Sequence, residues 1–208
     1  MRIAVLTFDA FNEIDSFVVA NLLNRVAAPG WSARLAGPTA RVVSGRGVAV
    51  EMQEPLEFAA EADAVVIGSG MRTGAVIADP AMLARIRLDP RRQLVASQCS
   101  GAMILARLGL LGDAPACTDL MTAPELGAMG VMVLDRAFHA RGNVATAGGC
   151  LAAQYIAAWL IARVLGTAEA ARVIGYVAPV GEKDEYAARA LAAVTPFLGE
   201  DRAARAVA

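Results

Sequence analysis

One cysteine in this chain stands where a nucleophile would. The run Leu94-Val95-Ala96-Ser97-Gln98-Cys99-Ser100-Gly101-Ala102-Met103 reads as an apolar strand that passes through a short polar corner straight into a helix. A residue at such a corner is held in a tight turn with its side chain at the mouth of a sheet. The corner needs a small residue two places after the nucleophile, where strand and helix nearly touch. Gly101 supplies it, and Ser97 is the small residue two places before. A helix beginning at Gly101 aims its free N–H groups at the sulfur, which predicts a Cys99 pKa below the usual ~8.5. The Ser100 N–H is a ready donor to a developing oxyanion. The competing reading of Cys99 is a core thiol, since free cysteine is among the most buried residue types.

Two acids, Glu13 and Asp15, follow the first apolar run at the start of its helix. Carboxylates there interact favourably with a helix N-terminus, which is the structural reading. In the functional reading Asp15 reaches the Cys99 sulfur: ionised it opposes a thiolate, protonated it donates to one and serves as general acid. Residues Gly68-Ser69-Gly70 close another apolar run, where the Gly70 N–H can approach a substrate. No lysine follows and the glycine spacing is wrong for a phosphate loop. The chain has one histidine, His139, between Arg136 and Arg141. It reads as a surface residue, which argues against a Cys-His catalytic pair and a histidine metal site. Cys150, after Gly148-Gly149, is a second candidate thiol, with core packing the weightier reading. Cys117 reads as core.

These residues need a scaffold, and apolar periodicity supplies one. Strands are expected over 3–7, 31–36, 62–68 and 93–97, and helices over 14–26, 80–87 and 101–108, with Asn12 as a cap for the first. A hairpin is expected over 41–50. In the second half, short strands are expected at 116–118 and 131–134, a helix at 124–129 and a hairpin over 137–146. A long buried helix follows Gly148-Gly149, and an amphipathic helix spans 184–198. Alternating strands and helices imply a mostly parallel sheet covered on both faces, with ligands outside the carboxyl ends of the strands. The loops of interest are therefore 8–15, 68–74 and 98–101.

Composition bounds the rest. The 208 residues suffice for one large domain, expected to span 1–208. A net charge of -1 gives no reason to expect nucleic acid or an anionic membrane as partner. The most apolar stretch, 150–165, carries Gln154 and Arg163 and falls short of the roughly 20 residues a spanning helix needs. The N-terminus turns acidic too soon for a signal peptide, so a cytoplasmic location is expected. Three cysteines without a CxxC pattern are expected as free thiols.

Together these residues resemble the DJ-1/PfpI superfamily, with its class I glutamine amidotransferase-like, flavodoxin-type fold. The isonitrile hydratase-like branch looks closest. The likeness runs from Ile3 to about Val173. It rests most on Ser97-Gln98-Cys99-Ser100-Gly101 followed by Leu105-Ala106-Arg107-Leu108-Gly109-Leu110-Leu111, similar to the family's cysteine elbow and its Gly-Leu-Leu ending. The segment from Phe8 to Asp15 looks like the one carrying the family's acid partner. The resemblance implies a single-domain, three-layer α/β sandwich. It places the nucleophile on Cys99, the acid on Asp15 and the oxyanion donors on Gly70 and Ser100, with Ser69 in the same substrate-binding loop. The histidine that protease-like members carry after the cysteine is Ser100 here, and the proline of the glycine loop is Gly68.

The activity so implied is hydration or hydrolysis of a small molecule, in the isonitrile version through a thioimidate on Cys99, without metal or organic cofactor. The alternatives are a redox or electrophile sensor using the same thiol, and a ligand-binding regulatory module without turnover. Members of the resembling family are usually homodimers, and the 57% apolar composition leaves surface to cover. A dimer is therefore expected by light scattering at micromolar concentration; a clean monomer there counts against it.

Overall fold

The structure is a computed structural model describing residues 1–199; the end of the expected 1–208 unit lies outside the described residues. Its centre is a seven-stranded sheet. Strands β1 (Arg2–Leu6), β2 (Ser32–Gly37), β6 (Ala64–Ile67), β7 (Leu94–Gln98) and β9 (Val144–Ala147) run parallel, with short β5 (Glu54–Pro55) parallel at one edge. Strand β8 (Phe138–Arg141) pairs antiparallel with β9 at the other edge. The order is β5-β2-β1-β6-β7-β9-β8. Every residue of β6 is buried, as are four of the five in β1 and in β7. Unbroken runs such as Ile3-Ala4-Val5-Leu6 mark strands covered on both faces. A separate two-stranded ribbon, β3 (Arg41–Val43) with β4 (Ala49–Glu51), realises the hairpin expected over 41–50.

Helices cover both faces, as the alternation of elements implied. One face carries α1 (Glu13–Leu23), α6 (Ala153–Leu165), α7 (Thr167–Val177) and α8 (Lys183–Val194), which pack Leu22, Leu23, Ile156, Val173 and Val194 around fully buried Trp159. The other carries a 3-10 turn (Leu56–Ala60) with α2 (Thr73–Ala78), α3 (Pro80–Arg85), α4 (Gly101–Arg107) and α5 (Ala123–Ala128). Asn12 caps α1, its side chain accepting from the Ile14 N–H at 3.0 Å.

The structure corrects several expectations. Residues 116–118 and 131–134 form no strands; they meet through one isolated bridge, Ala116 to Val133, because β8 already occupies the sheet edge. The long helix begins as a 3-10 turn (Cys150–Ala152) before α6. Helices α2 and α7 were not expected. Buried Ala170, Val173 and Ile174 of α7 do lie at helical spacing. Among the described residues no helix is long and apolar enough to cross a membrane.

The corner between β7 and α4 is a close backbone contact. A Cβ at Gly101 would lie 2.6 Å from the Ile67 carbonyl oxygen and 3.0 Å from that of Gly68. Gly127, inside α5, faces open space. Gly101→Ala should therefore cost about 1–3 kcal/mol through overpacking, and Gly127→Ala should stabilise by about 0.5–1 kcal/mol through helix propensity. Urea unfolding of the two variants checks both signs.

Candidate active site

Four adjacent strands deliver the site from their carboxyl ends. After β1 the chain bends through Ala10, at φ 60°, and Phe11, which bridges both Ser44 and Gly70, before Asn12 starts α1. That places Asp15 in the first turn of α1, fully buried. After β6 come Gly68, Ser69 and Gly70. After β7 comes Cys99, one of two non-glycine residues with positive φ among the described residues, at 46°. Such a conformation costs on the order of 1–3 kcal/mol and persists only where its surroundings enforce it. Here the Cys99 N–H donates to the Ala147 carbonyl at 2.8 Å, and Thr118 Oγ1 donates to the Cys99 carbonyl at 2.9 Å. After β9, Gly148 and Gly149 lead into Cys150, which lines the same cleft as Cys99.

One carboxylate oxygen of Asp15, Cys99 Sγ and Cys150 Sγ all lie within 4.8 Å of one another. Ser69 Oγ donates to Asp15 Oδ2 at 2.5 Å, while Oδ1 has no nitrogen or oxygen partner among the described residues. Asn12 Nδ2 donates to Cys150 Sγ at 3.2 Å. Gln98 Nε2 donates to the Gly149 carbonyl at 2.8 Å and lies 3.7 Å from Cys99 Sγ. Glu13 is directed elsewhere: the Ser44 hydroxyl donates to its carboxylate, which holds its pKa below the usual value. The Gly70 N–H, expected as an oxyanion donor, donates to Ser100 Oγ at 3.2 Å, and that hydroxyl is 2.8 Å from Thr73 Oγ1. No protein acceptor among the described residues takes the Ser100 N–H. Above these groups opens a cleft of about 660 Å³, walled in part by Phe11, Met71, Met103 and Met121.

This arrangement can be set beside known proteins. The family model described as DJ-1/PfpI family matches residues 1–163. The chain belongs to the DJ-1/PfpI family. No curated protein sequence matches it significantly. Among solved structures it resembles Schizosaccharomyces pombe DJ-1, with a TM-score of 0.73 at 15% identity over 86% of this chain and 100% of that one. It likewise resembles oxidised Toxoplasma gondii DJ-1, with a TM-score of 0.72 at 20% identity over 85% and 97% of the two chains. Drosophila melanogaster DJ-1beta gives 0.71 at 20% identity over 85% and 96%. At these identities the likeness carries the fold alone.

Electrostatics in this DJ-1/PfpI chain run against the low-pKa thiol expected from the helix start. Burial, then the Asp15 carboxylate beside it, push the Cys99 thiol up. Helix α4 has only seven residues, so its end charge is too small to offset the loss of water. Burial also raises Asp15, against the lowering effect of Ser69. A second charge on either group is opposed by the first, so the two titrate as a pair, and the position of a proton between them decides whether sulfur or oxygen is the anion. Cys117 is fully buried away from the cleft and pushed up to about 11, consistent with a core thiol.

One contributor carries no signal in the sequence and another is weighted differently there. Cys150, a second candidate thiol whose apolar surroundings favour core packing, lines the cleft instead; its signal is the glycine pair at the end of a parallel strand. Gln98 fastens the Cys150 loop to β7. The donor atoms of Asp15, Cys99 and Cys150 are also close enough to share a soft cation. His139 lies outside the cleft, half-buried with its ring edge-on to Phe197.

The raised Asp15 pKa fixes a sign for stability. Below pH 3.8, its ordinary value, folding buries a neutral acid; above the folded value it buries a charge, so this contribution is lost as pH rises. Asp15→Asn carries no such penalty. Its melting temperature should exceed that of the wild type at pH 7, and the gap should shrink toward pH 4. Scanning calorimetry at the two pH values checks this; a gap that widens on acidification overturns it.

Proposed function

We propose that this chain is a cysteine-dependent hydratase or hydrolase of small uncharged electrophiles, with isonitriles as the substrate class that best suits the site. The observation that carries this reading is the buried Asp15 carboxyl group beside Cys99 Sγ at the floor of the cleft. An isonitrile has an electrophilic terminal carbon that must also gain a proton. Cys99 sulfur attacks that carbon, and the thiol proton reaches the same carbon by way of Asp15, giving a thioimidate. The Asp15 carboxylate then takes a proton from water as it adds to the C=N bond and passes that proton to the nitrogen. On collapse the adduct hydroxyl gives its proton through Asp15 to the departing sulfur as the C=O bond forms, and a formamide leaves. A carboxyl group with a raised pKa suits both the base and the acid step. The apolar walls at Phe11, Met71, Met103 and Met121 suit an uncharged substituent. The Ser100 N–H and, once the Ser100 hydroxyl turns aside, the Gly70 N–H are the donors for charge developing on the substrate.

The presence of two thiols in one cleft supports a second reading, in which Cys99 serves as a redox thiol; one structural relative is an oxidised DJ-1. Turnover separates the two. A screen of small isonitriles, thioesters and 2-oxoaldehydes should find a substrate whose conversion is abolished in Cys99→Ser. On that substrate Asp15→Asn should lose about 10²–10⁴-fold in turnover, with Glu13→Gln changed only a few-fold because its carboxylate is held by Ser44. Turnover that survives in Cys99→Ser sinks the enzymatic reading. Reversible oxidation of Cys99 with no turnover on any of the three classes favours the second.

A further inference from the structure

The hydratase reading makes no use of Cys150 and the redox reading assigns it no step, yet it is one of the three side chains that meet at the floor of the cleft. We infer that Cys99 and Cys150 form a reversible dithiol–disulfide pair, in which Cys150 resolves the oxidised form of Cys99 after reaction with a hydroperoxide. The inference does not depend on the hydratase reading, and its assay contains no substrate of that reaction.

Proximity is the first support. The two sulfurs lie within 4.8 Å of each other, and both residues line the cleft through which a small peroxide would enter. A disulfide requires about 2.05 Å between sulfurs, so the gap must close by less than 3 Å. Closure falls to the Cys150 side chain, which must leave its Asn12 contact to reach Cys99. Its residue opens a three-residue 3-10 turn, Cys150–Ala152, preceded by Gly148 and by Gly149 at φ 84°, and followed by exposed Leu151. Cys99, by contrast, is fixed by hydrogen bonds on both sides of its peptide unit. Proton transfer is the second support. Burial and the Asp15 charge push the Cys150 thiol up and the Asn12 Nδ2 hydrogen bond to Cys150 Sγ partly offsets them, while an Asp15 oxygen within 4.8 Å of both sulfurs is placed to take their protons. Cys117 has neither feature: it is fully buried, off the cleft, and its backbone N–H is held by Thr146 Oγ1 at 2.8 Å.

The chemistry balances with these groups and one oxidant. The Cys99 thiol gives its proton to Asp15 while its sulfur attacks the terminal oxygen of the hydroperoxide. The O–O bond breaks, the leaving alkoxide takes the proton from Asp15 as an alcohol, and the sulfur is oxidised by two electrons to a sulfenic acid. The Cys150 thiol then gives its proton to Asp15 and its sulfur attacks that of Cys99. The S–O bond breaks, and hydroxide leaves with the Asp15 proton as water. Two thiols and one hydroperoxide have become a disulfide, an alcohol and water. A dithiol reductant reverses the bond by exchange. Without a resolving thiol the sulfenic acid has no partner and goes on to sulfinic acid, which thiols do not reverse.

The test uses the reduced full-length protein, treated with a small excess of hydrogen peroxide, quenched with an alkylating agent and mapped by mass spectrometry without reduction. The expected product is a Cys99–Cys150 linked peptide, two hydrogens lighter than the sum of its parts, with Cys117 alkylated and the link lost in dithiothreitol. In Cys150→Ser and Cys150→Ala, Cys99 should instead gain two oxygens irreversibly, and Cys117→Ser should keep the link. Having two replacements at 150, each checked for a native melting transition, separates lost chemistry from lost folding. Wild-type Cys99 that goes to sulfinic acid as readily as the Cys150 variants, with no linked peptide, overturns the inference, as does a link from Cys99 to Cys117.

Discussion

A carboxyl group shut away from solvent beside two sulfurs is the constraint on which the rest of the site depends. Asp15 is fully buried, and the Ser69 hydroxyl is its one nitrogen or oxygen donor among the described residues. A carboxylate in that position lacks the hydrogen bonds that normally compensate for lost hydration. It therefore holds its proton more tightly than an exposed acid, and it raises the cost of a neighbouring thiolate. Neither group is a strong acid alone. As a pair they form a proton reservoir that responds to whatever electrophile approaches the sulfur.

The fold maintains that reservoir through residues that serve two partners at once. Asn12 caps α1 with its oxygen and holds Cys150 with its nitrogen, so the helix that carries Asp15 and the turn that carries Cys150 are registered by one side chain. Ser69 ends β6 and fixes the orientation of Asp15. Gln98 ends β7 and ties it to the loop after β9. Gly101 lets α4 approach the Ile67 carbonyl closely enough for the corner to form. Three of these contacts join neighbouring strand ends and the Asn12 contact reaches from β1 across to β9, so the positions of oxygen and sulfur follow from the order β1-β6-β7-β9 and not from any single loop.

How much of this is legible in the sequence depends on how local each feature is. The elbow is local: an apolar strand, Cys99 and Gly101 within ten residues announce it, and the buried strands are equally plain as unbroken apolar runs. The choice between Glu13 and Asp15 is less local, because it turns on Ser44, a residue of the ribbon that takes Glu13 away. Cys150 is less local, because Leu151, Ala152 and Ala153 suggest a core helix, while its exposure to the cleft depends on a 3-10 turn set up by Gly149. The thiol pKa is hidden for a related reason. A helix start is visible in sequence, but helix length and burial decide its strength, and both emerge only when four strand ends converge. Residues 116–118 and 131–134 have strand-like composition without an open sheet edge to join, which is a property of topology.

The location of unmet polar groups bears on whether the cluster is incidental. Buried donors and acceptors left without partners cost about 1–3 kcal/mol each, so stable folds retain few of them. In this chain five buried side-chain polar atoms lack a protein partner among the described residues: the two ring nitrogens of His139 on β8, and Asp15 Oδ1, Ser97 Oγ and Gln98 Oε1, which belong to the elbow or to the acid beside it. The left-handed backbone of Cys99 adds to the same place. A core optimised only for stability would hold apolar side chains at these positions, as the strands do a few residues earlier. Three of the five unmet atoms and the strained Cys99 backbone gather at the carboxyl ends of β1 and β7, where the proton of Asp15 and the sulfur of Cys99 meet the cleft, and chemistry at that junction is the physical reason for a fold to retain them there.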